Sequence, residues 1–315
     1  MRRLAGDVTP TDEDRRQALA RLSLLIAEPS KPTARRGRII AGVCVVAAAV
    51  IFVFLGLILR PTATGAAAEE IATAAEAADP ITLPANSYLY TRAETKAVRF
   101  VPADGLQGVD YDKAYLTYQI PSERQTWVAA DGTIQISTRN STPVFFSPRD
   151  EAVYYAAGLD VSDAIGQTKT EVFSPSDRVE EWPTQPDDLD HAIRQALPDQ
   201  GLPESVEYVD VAMDIIRERP VQPETRANLV RLIGRLPDLS VVQSDDDHTT
   251  FQIGYDRDAI AETYTFTLTS RGELAFEERR LSQPNPSLGI PTGTVLFSAK
   301  YSVPQVVTQL SIPAD

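Results

Sequence analysis

Residues 39–59, IIAGVCVVAAAVIFVFLGLIL, form 21 consecutive uncharged and overwhelmingly apolar positions, and this run constrains the chain more than any other feature. A helix needs about 20 such residues to cross the hydrocarbon core of a bilayer, so the run predicts a transmembrane helix. A cleavable secretory signal is the alternative, but its apolar part is about 7–15 residues long and follows a short basic leader, whereas 38 residues precede this one. Arg35-Arg36 has the look of a twin-arginine export signal, a pair that also arises wherever basic residues flank an anchor. Lys31, Arg35, Arg36 and Arg38 crowd the N-terminal side, and after Arg60 no Lys or Arg occurs until Arg92. The positive-inside rule then predicts a cytoplasmic N-terminus and a large extracytoplasmic part at the cell membrane.

Charge divides along the same boundary. Residues 1–38 hold nine Lys/Arg against five Asp/Glu, net +4, and residues 61–315 hold 20 against 39, net −19. So acidic an outer part repels nucleic acid and anionic membrane surfaces, and no nucleic-acid partner is expected. The single cysteine, Cys44, falls within the apolar run, so the outer part has no disulfide and must fold on core packing. Its roughly 255 residues suffice for that.

Residues 11–27 read as a short amphipathic helix, with Thr11 as its cap, Asp12, Glu13 and Asp14 at its positive end, and Leu19, Leu22, Leu25 and Ile26 on one face. That face predicts a contact with a cytoplasmic protein; a helix lying on the inner leaflet through Arg15, Arg16 and Arg21, or one only marginally formed, are the alternatives. Residues 60–85 read as a juxtamembrane spacer, because the Ala/Glu/Thr stretch 62–79 is helix-permissive but nearly coreless.

The folded domain is expected over 86–304, with 305–315 as a tail. Its first half predicts strands at 86–101, 114–121, 123–130 and 133–139, the last two joined by an Asp131-Gly132 hairpin, and a further strand at 168–174. Three helices follow, each punctuated by proline: Leu189, Ile193 and Leu197 before Pro198; Val206, Val209, Met213 and Ile216 before Pro220; and Leu229, Leu232, Ile233 and Leu236 between Pro223 and Pro237. Strands return at 239–244 and 249–255, through Tyr264-Phe266-Leu268, at 274–281 and over 293–303, where Val295, Phe297, Ala299, Tyr301 and Val303 alternate on one face. Strands, then helices, then strands is an α+β pattern, predicting a curved antiparallel sheet with helices on one face.

Catalytic chemistry is thinly represented. His191 and His248 are the only histidines and have no partner spacing for zinc. Asp245-Asp246-Asp247-His248 lacks the alternating ligands and glycine of a calcium loop and reads as a solvated hairpin turn. Asn140-Ser141-Thr142 matches a glycosylation acceptor, a pattern that chance often supplies. There is no nucleophile elbow, phosphate loop or dinucleotide fingerprint. No enzymatic activity, metal or cofactor is expected. Aromatic residues are the remaining candidates: Tyr88, Tyr90, Tyr115, Tyr118, Trp127, Phe145 and Tyr154, with Phe146 and Tyr155 beside them, line an apolar cleft on one reading and are plain core on the other.

Two segments carry a resemblance. Glu181-Trp182-Pro183-Thr184-Gln185-Pro186-Asp187-Asp188-Leu189 is similar to a Leu/Trp-Pro-Thr-x-Pro-x-x-Leu turn into a helix, and IIRERPVQPETRANLVRLIGRLPDLSVV to a helix ending at Pro, an Arg-containing helix and a Leu-Pro-Gly-Val strand entry, with Asp238 where Gly is usual. The chain thereby resembles a family of actinobacterial single-span membrane proteins of unknown function, often found beside extracytoplasmic-function sigma factors. It departs from that family at SDDDHTTFQIG, which replaces an Asp-x-x-Gly-Arg-x-Gly turn, and at Ser270-Arg271-Gly272 within TFTLTSRGELAFEERRL. In outline the outer part is also similar to lipoprotein-carrier domains. The resemblance implies an integral membrane protein whose outer module senses or binds an envelope protein or lipid, with an anti-sigma-like contact to a cytoplasmic sigma factor; a tethered lipid or lipoprotein carrier or scaffold is the alternative. The 38-residue N-terminal segment lacks the His and Cys ligands of zinc-type anti-sigma domains and offers a sigma factor one helix at most.

Overall fold

In a computed structural model of the chain, residues 63–106, 109, 111–173, 182–198, 200–218, 221–257, 260–285, 288–308 and 310 are described. The chain divides into Met1–Arg60 and Pro61–Asp315. The expected helix 11–27, with Leu19, Leu22, Leu25 and Ile26, and the expected span 39–59 lie outside the described residues. Among the described residues, no helix is long and apolar enough to cross a membrane.

Pro61–Asp315 is an α+β unit built on one large antiparallel sheet. Its strands are β1 (Tyr88–Pro102), β2 (Tyr115–Ala129), β3 (Ile134–Asn140), β4 (Val144–Phe145), β5 (Thr168–Phe173), β6 (Leu239–Ser244), β7 (His248–Arg257), β8 (Ile260–Thr269), β9 (Leu274–Leu281), β10 (Val295–Tyr301) and β11 (Gln305–Val307). They run in the order β5-β3-β2-β1-β10-β9-β8-β7-β6, with β11 beside β1 and β4 beside β2. The helices are α1 (Ala63–Glu76), α2 (Pro148–Ala156), the single turn α3 (Leu159–Ser162), α4 (Pro186–Ala196), α5 (Glu204–Glu218) and α6 (Pro223–Ile233).

The two strands expected at 114–121 and 123–130 are one, since β2 pairs with β1 without a break from Tyr88↔Ala129 to Pro102↔Tyr115. Pro121 has no N–H and is tolerated inside a sheet only where no ladder bond is needed. It sits in such a place: β3 leaves β2 at Ser122↔Asn140, β4 joins at Gln119↔Val144, and the Pro121 carbonyl accepts from Ser141 N at 2.8 Å. The β2–β3 hairpin turns at Asp131-Gly132 as expected, with Gly132 at φ 92° and Asp131 Oδ1 accepting from Thr133 N at 2.8 Å. The β6–β7 turn is closed by Asp245 Oδ1, which accepts from the backbone N–H of Asp247 and His248 at 3.0 and 2.8 Å, so the acidic run is a solvated turn.

Helices α4, α5 and α6 form where the proline-bounded periodicities place them, α4 and α6 each starting with Pro at its first turn. Their apolar stripes pack on Leu239, Phe251, Ile253, Tyr264, Phe266 and Leu268 of β6–β8, all buried and all on one sheet face. The stretch read as a coreless spacer is instead α1, an integral part of this layer. Thr64, Ala68, Ile71, Ala72 and Ala75 form its buried stripe against α6 and β6. Small side chains allow the close approach: a Cβ at Gly234, just past α6, would overlap that of Ala68. Arg231 then reaches Glu69 at 3.1 Å and Glu76 at 2.7 Å, and Thr64 Oγ1 donates to the Leu239 carbonyl at 3.2 Å.

The C-terminal end departs from expectation in two ways. A bulge between Val295 and Phe297 sets Val295 opposite Arg280 and Phe297 opposite Arg279, so Val295 leaves the face of Phe297, Ala299 and Tyr301. Val303 lies beyond β10 and is 63% exposed, and residues 305–307 of the expected tail pair with β1 as β11.

Candidate functional site

The seven aromatic candidates do not share one cleft. Tyr118, Phe145 and Tyr154 come together where α2 crosses β2 and β4, with ring centroids 4.8 Å apart for Tyr118–Tyr154 and 5.1 Å for Phe145–Tyr154. Helix α2 is placed there by Ser147, whose hydroxyl accepts from Asp150 N at 3.1 Å, and by Pro148 at its first turn. The Tyr118 and Tyr154 hydroxyls both donate to Asp163 Oδ2, at 2.9 and 3.1 Å. Burial first, then Asp163, holds both phenols well above their ordinary value, so they remain neutral donors. Close by, Asp150 accepts from Tyr111 at 2.6 Å and Lys113 at 2.8 Å; burial works against its charge, but Lys113, Tyr111 and Ser147 outweigh it and hold the carboxyl below its usual range. With every polar tip occupied, this group reads as a satisfied satellite core. Asn140 of the acceptor tripeptide has its own amide engaged, donating to the Asp163 carbonyl at 2.7 Å.

Tyr90 and Trp127 form a separate buried pair with centroids 5.4 Å apart. β2 is continuous and Trp127 lies an odd number of residues from Tyr118, so the two project from opposite faces of the sheet. Trp127 Nε1 is buried without a hydrogen-bond partner. Tyr88 and Tyr115 are half-buried, and neither joins these ring contacts among the described residues.

A polar network beneath α5 was not anticipated. Asp210, Asp214 and Arg217 follow one another at i, i+4 and i+7, the spacing of one helix face, and this face meets β8, β9 and β10. Arg217 pairs with Asp214 and donates to Glu277 at 3.0 Å; Glu277 also accepts from Tyr301, and from Tyr264 at 3.0 Å. Asp210 pairs with Arg279, whose guanidinium lies 5.0 Å from the Tyr264 ring centroid. At the end of the row, Tyr255 donates to Glu262 at 2.6 Å. Burial pushes Tyr264 far above its ordinary value, with Glu277 adding to the effect, and burial lifts the Asp210 carboxyl above its usual range despite Arg279. Each of these carboxylates is engaged by guanidinium or phenol donors, which makes the network a fastening between helix layer and sheet. The signal was present as the helical spacing of Asp210, Asp214 and Arg217 and the alternation of Glu277 and Arg279 on β9.

Among the described residues, no group of three or more His, Cys, Asp or Glu could hold a metal ion. His191 contacts Gln195 on the exposed side of α4, and His248 is half-exposed at the β6–β7 turn.

Beyond this fastening, the same sheet face carries an apolar row across five strands. Val306 of β11 opposes Leu89 of β1, Leu89 opposes Val128 of β2, Val128 opposes Ile134 of β3, and Ile134 opposes Phe173 of β5. Leu89 and Val128 are 6% and 5% exposed, whereas Phe173 and Val306 at the ends are 40% and 49% exposed. The row belongs to neither the helix-covered core nor the Tyr118–Tyr154 group.

No protein-family model matches this sequence, and no curated protein matches it.

Proposed function

We propose that the chain is a membrane-anchored extracytoplasmic binding module that senses an apolar or amphipathic envelope ligand and reports its state to a cytoplasmic sigma factor through residues 1–38. The observation that carries the binding half is the row Val306–Leu89–Val128–Ile134–Phe173. It continues the face on which α1 and α4–α6 lie, and its accessible members Ile134, Phe173 and Val306 offer apolar surface to an extended apolar chain on either side of the packed Leu89–Val128 pair. In this reading the sheet curves around its helix layer and the α5 network marks the border between the two halves of the face. The signalling half rests on the 21-residue apolar run, the basic flank and the amphipathic 11–27 pattern. Neither part calls for an enzyme, a metal or a cofactor.

The same row favours a second reading, a tethered lipid or lipoprotein carrier without a signalling role. Both readings predict that a phospholipid with a photoactivatable acyl chain labels the full-length protein at β1–β3, and that Ile134→Glu or Phe173→Glu lowers that labelling severalfold without unfolding the protein. Labelling that is absent, or unchanged in both variants, rejects the row as the binding surface.

A further inference from the structure

β5 ends the sheet. It pairs with β3 from Ile134↔Phe173 to Arg139↔Thr168, no described strand lies on its other side, and all six of its residues are exposed in the whole chain. An edge with free N–H and C=O groups pairs readily with another strand unless charge, proline or a bulge prevents it. Thr168-Lys169-Thr170-Glu171-Val172-Phe173 has no proline, and its pairing with β3 shows no bulge. Its two charges cancel, and Lys169 and Glu171 already meet at 2.7 Å along the strand.

We propose that β5 is the interface between two copies of this chain, paired antiparallel about a twofold axis at Thr170. Directly opposed residues in an antiparallel pair lie on the same face, so a twofold axis normal to the sheet sets one residue opposite its own copy. Centred on Thr170, the pairing places Lys169 opposite Glu171 of the second copy, twice by symmetry, with Thr170 against Thr170 and Thr168 against Val172. Moving the centre by one residue sets Lys169 against Lys169 or Glu171 against Glu171, and opposed like charges destabilise a pair. Charge therefore selects both the occupant, a second copy, and a single register. The result is one continuous sheet through two protomers. A six-residue edge is a small contact beside the roughly 1,200–2,000 Å² of a stable complex, so the pairing depends on high local concentration. It rests on the strand edge alone and is independent of the ligand reading.

The test is disulfide crosslinking of the full-length chain in intact cells, with Cys44→Ser as background. Opposed Cα atoms in an antiparallel pair are about 4.5–5.5 Å apart, within disulfide reach, and the limit is about 7 Å. Thr170→Cys therefore gives a covalent dimer on mild oxidation. Thr168→Cys alone does not, because its two copies are offset by four residues, about 13 Å; Thr168→Cys combined with Val172→Cys in one chain does. In the Thr170→Cys background, Lys169→Glu lowers dimer yield roughly tenfold by opposing like charges twice, and adding Glu171→Lys restores it, which separates lost pairing from lost folding. Equal yields at 168 and 170, insensitivity to Lys169→Glu, or a disulfide to a different protein would each overturn the proposal.

Discussion

Asp150 and Asp210 couple stability to pH with opposite signs. Lys113, Tyr111 and Ser147 overcome the burial of Asp150 and depress its carboxyl, so its contribution is present above the unfolded value of about 3.9 and is lost as pH falls through the lower folded value. Burial raises Asp210, so its contribution is complete below about 3.9 and is lost as pH rises through the higher folded value. Asp150→Asn should therefore flatten the loss of stability on acidification below about pH 4, read as the urea midpoint against pH; an unchanged slope would show that Asp150 is not depressed. Glu277 tests the network directly. Truncation in Glu277→Ala removes the acceptor of the Tyr264 and Tyr301 hydroxyls and leaves Arg217 with Asp214 as its carboxylate, and should cost about 3 kcal/mol in chemical denaturation. Glu277→Gln keeps one acceptor oxygen for Arg217 and Tyr301 and places an amide NH2 against the Tyr264 hydroxyl, which can accept from it, and should cost distinctly less. The spacing that brings these residues together was legible in α5 and β9; that they would be buried was not, because charged residues at helical spacing ordinarily mark a solvated face.

Which elements were legible depended on how they bury themselves. Helices α4–α6 bury large residues at clear periodicity between prolines, and the Asp131-Gly132 and Asp245 turns carry the side chains their geometry uses, so all of these were readable. Helix α1 was misread as a spacer because alanine gives little contrast between its faces; it is held by fit against α6 rather than by bulk. Ala72→Leu and Gly234→Ala should each overpack the α1–α6 contact and cost about 1–3 kcal/mol, whereas Ala74→Leu, on the exposed side of α1, should be nearly neutral in thermal unfolding. Equal tolerance at 72 and 74 would revive the spacer. Reading Pro121 as a strand break hid the continuity of β2, and with it the fact that Tyr118 and Trp127 face opposite ways. The helix signal at Ser147-Pro148-Arg149-Asp150 was available and went unread.

Across the whole molecule, the features least visible in sequence are those assembled by topology. The apolar row draws one residue from each of five strands between positions 89 and 306, and no local pattern announces it. The outer edge of β5 likewise becomes an edge only once the sheet order is fixed. The charge division between residues 1–38 and 61–315, by contrast, is plain in the sequence and bears on the proposed signalling role, for which residues 11–27 with Leu19, Leu22, Leu25 and Ile26 are the proposed cytoplasmic contact. The measurement that tests that claim most directly is a crosslinking pull-down from membranes, comparing the intact chain with one whose residues 1–30 are replaced by an unrelated basic segment. A sensor acting on a sigma-factor pathway predicts a sigma factor captured by the intact chain and absent from the replacement. Identical captures from both, containing only envelope proteins or lipids, would contradict it and leave the carrier.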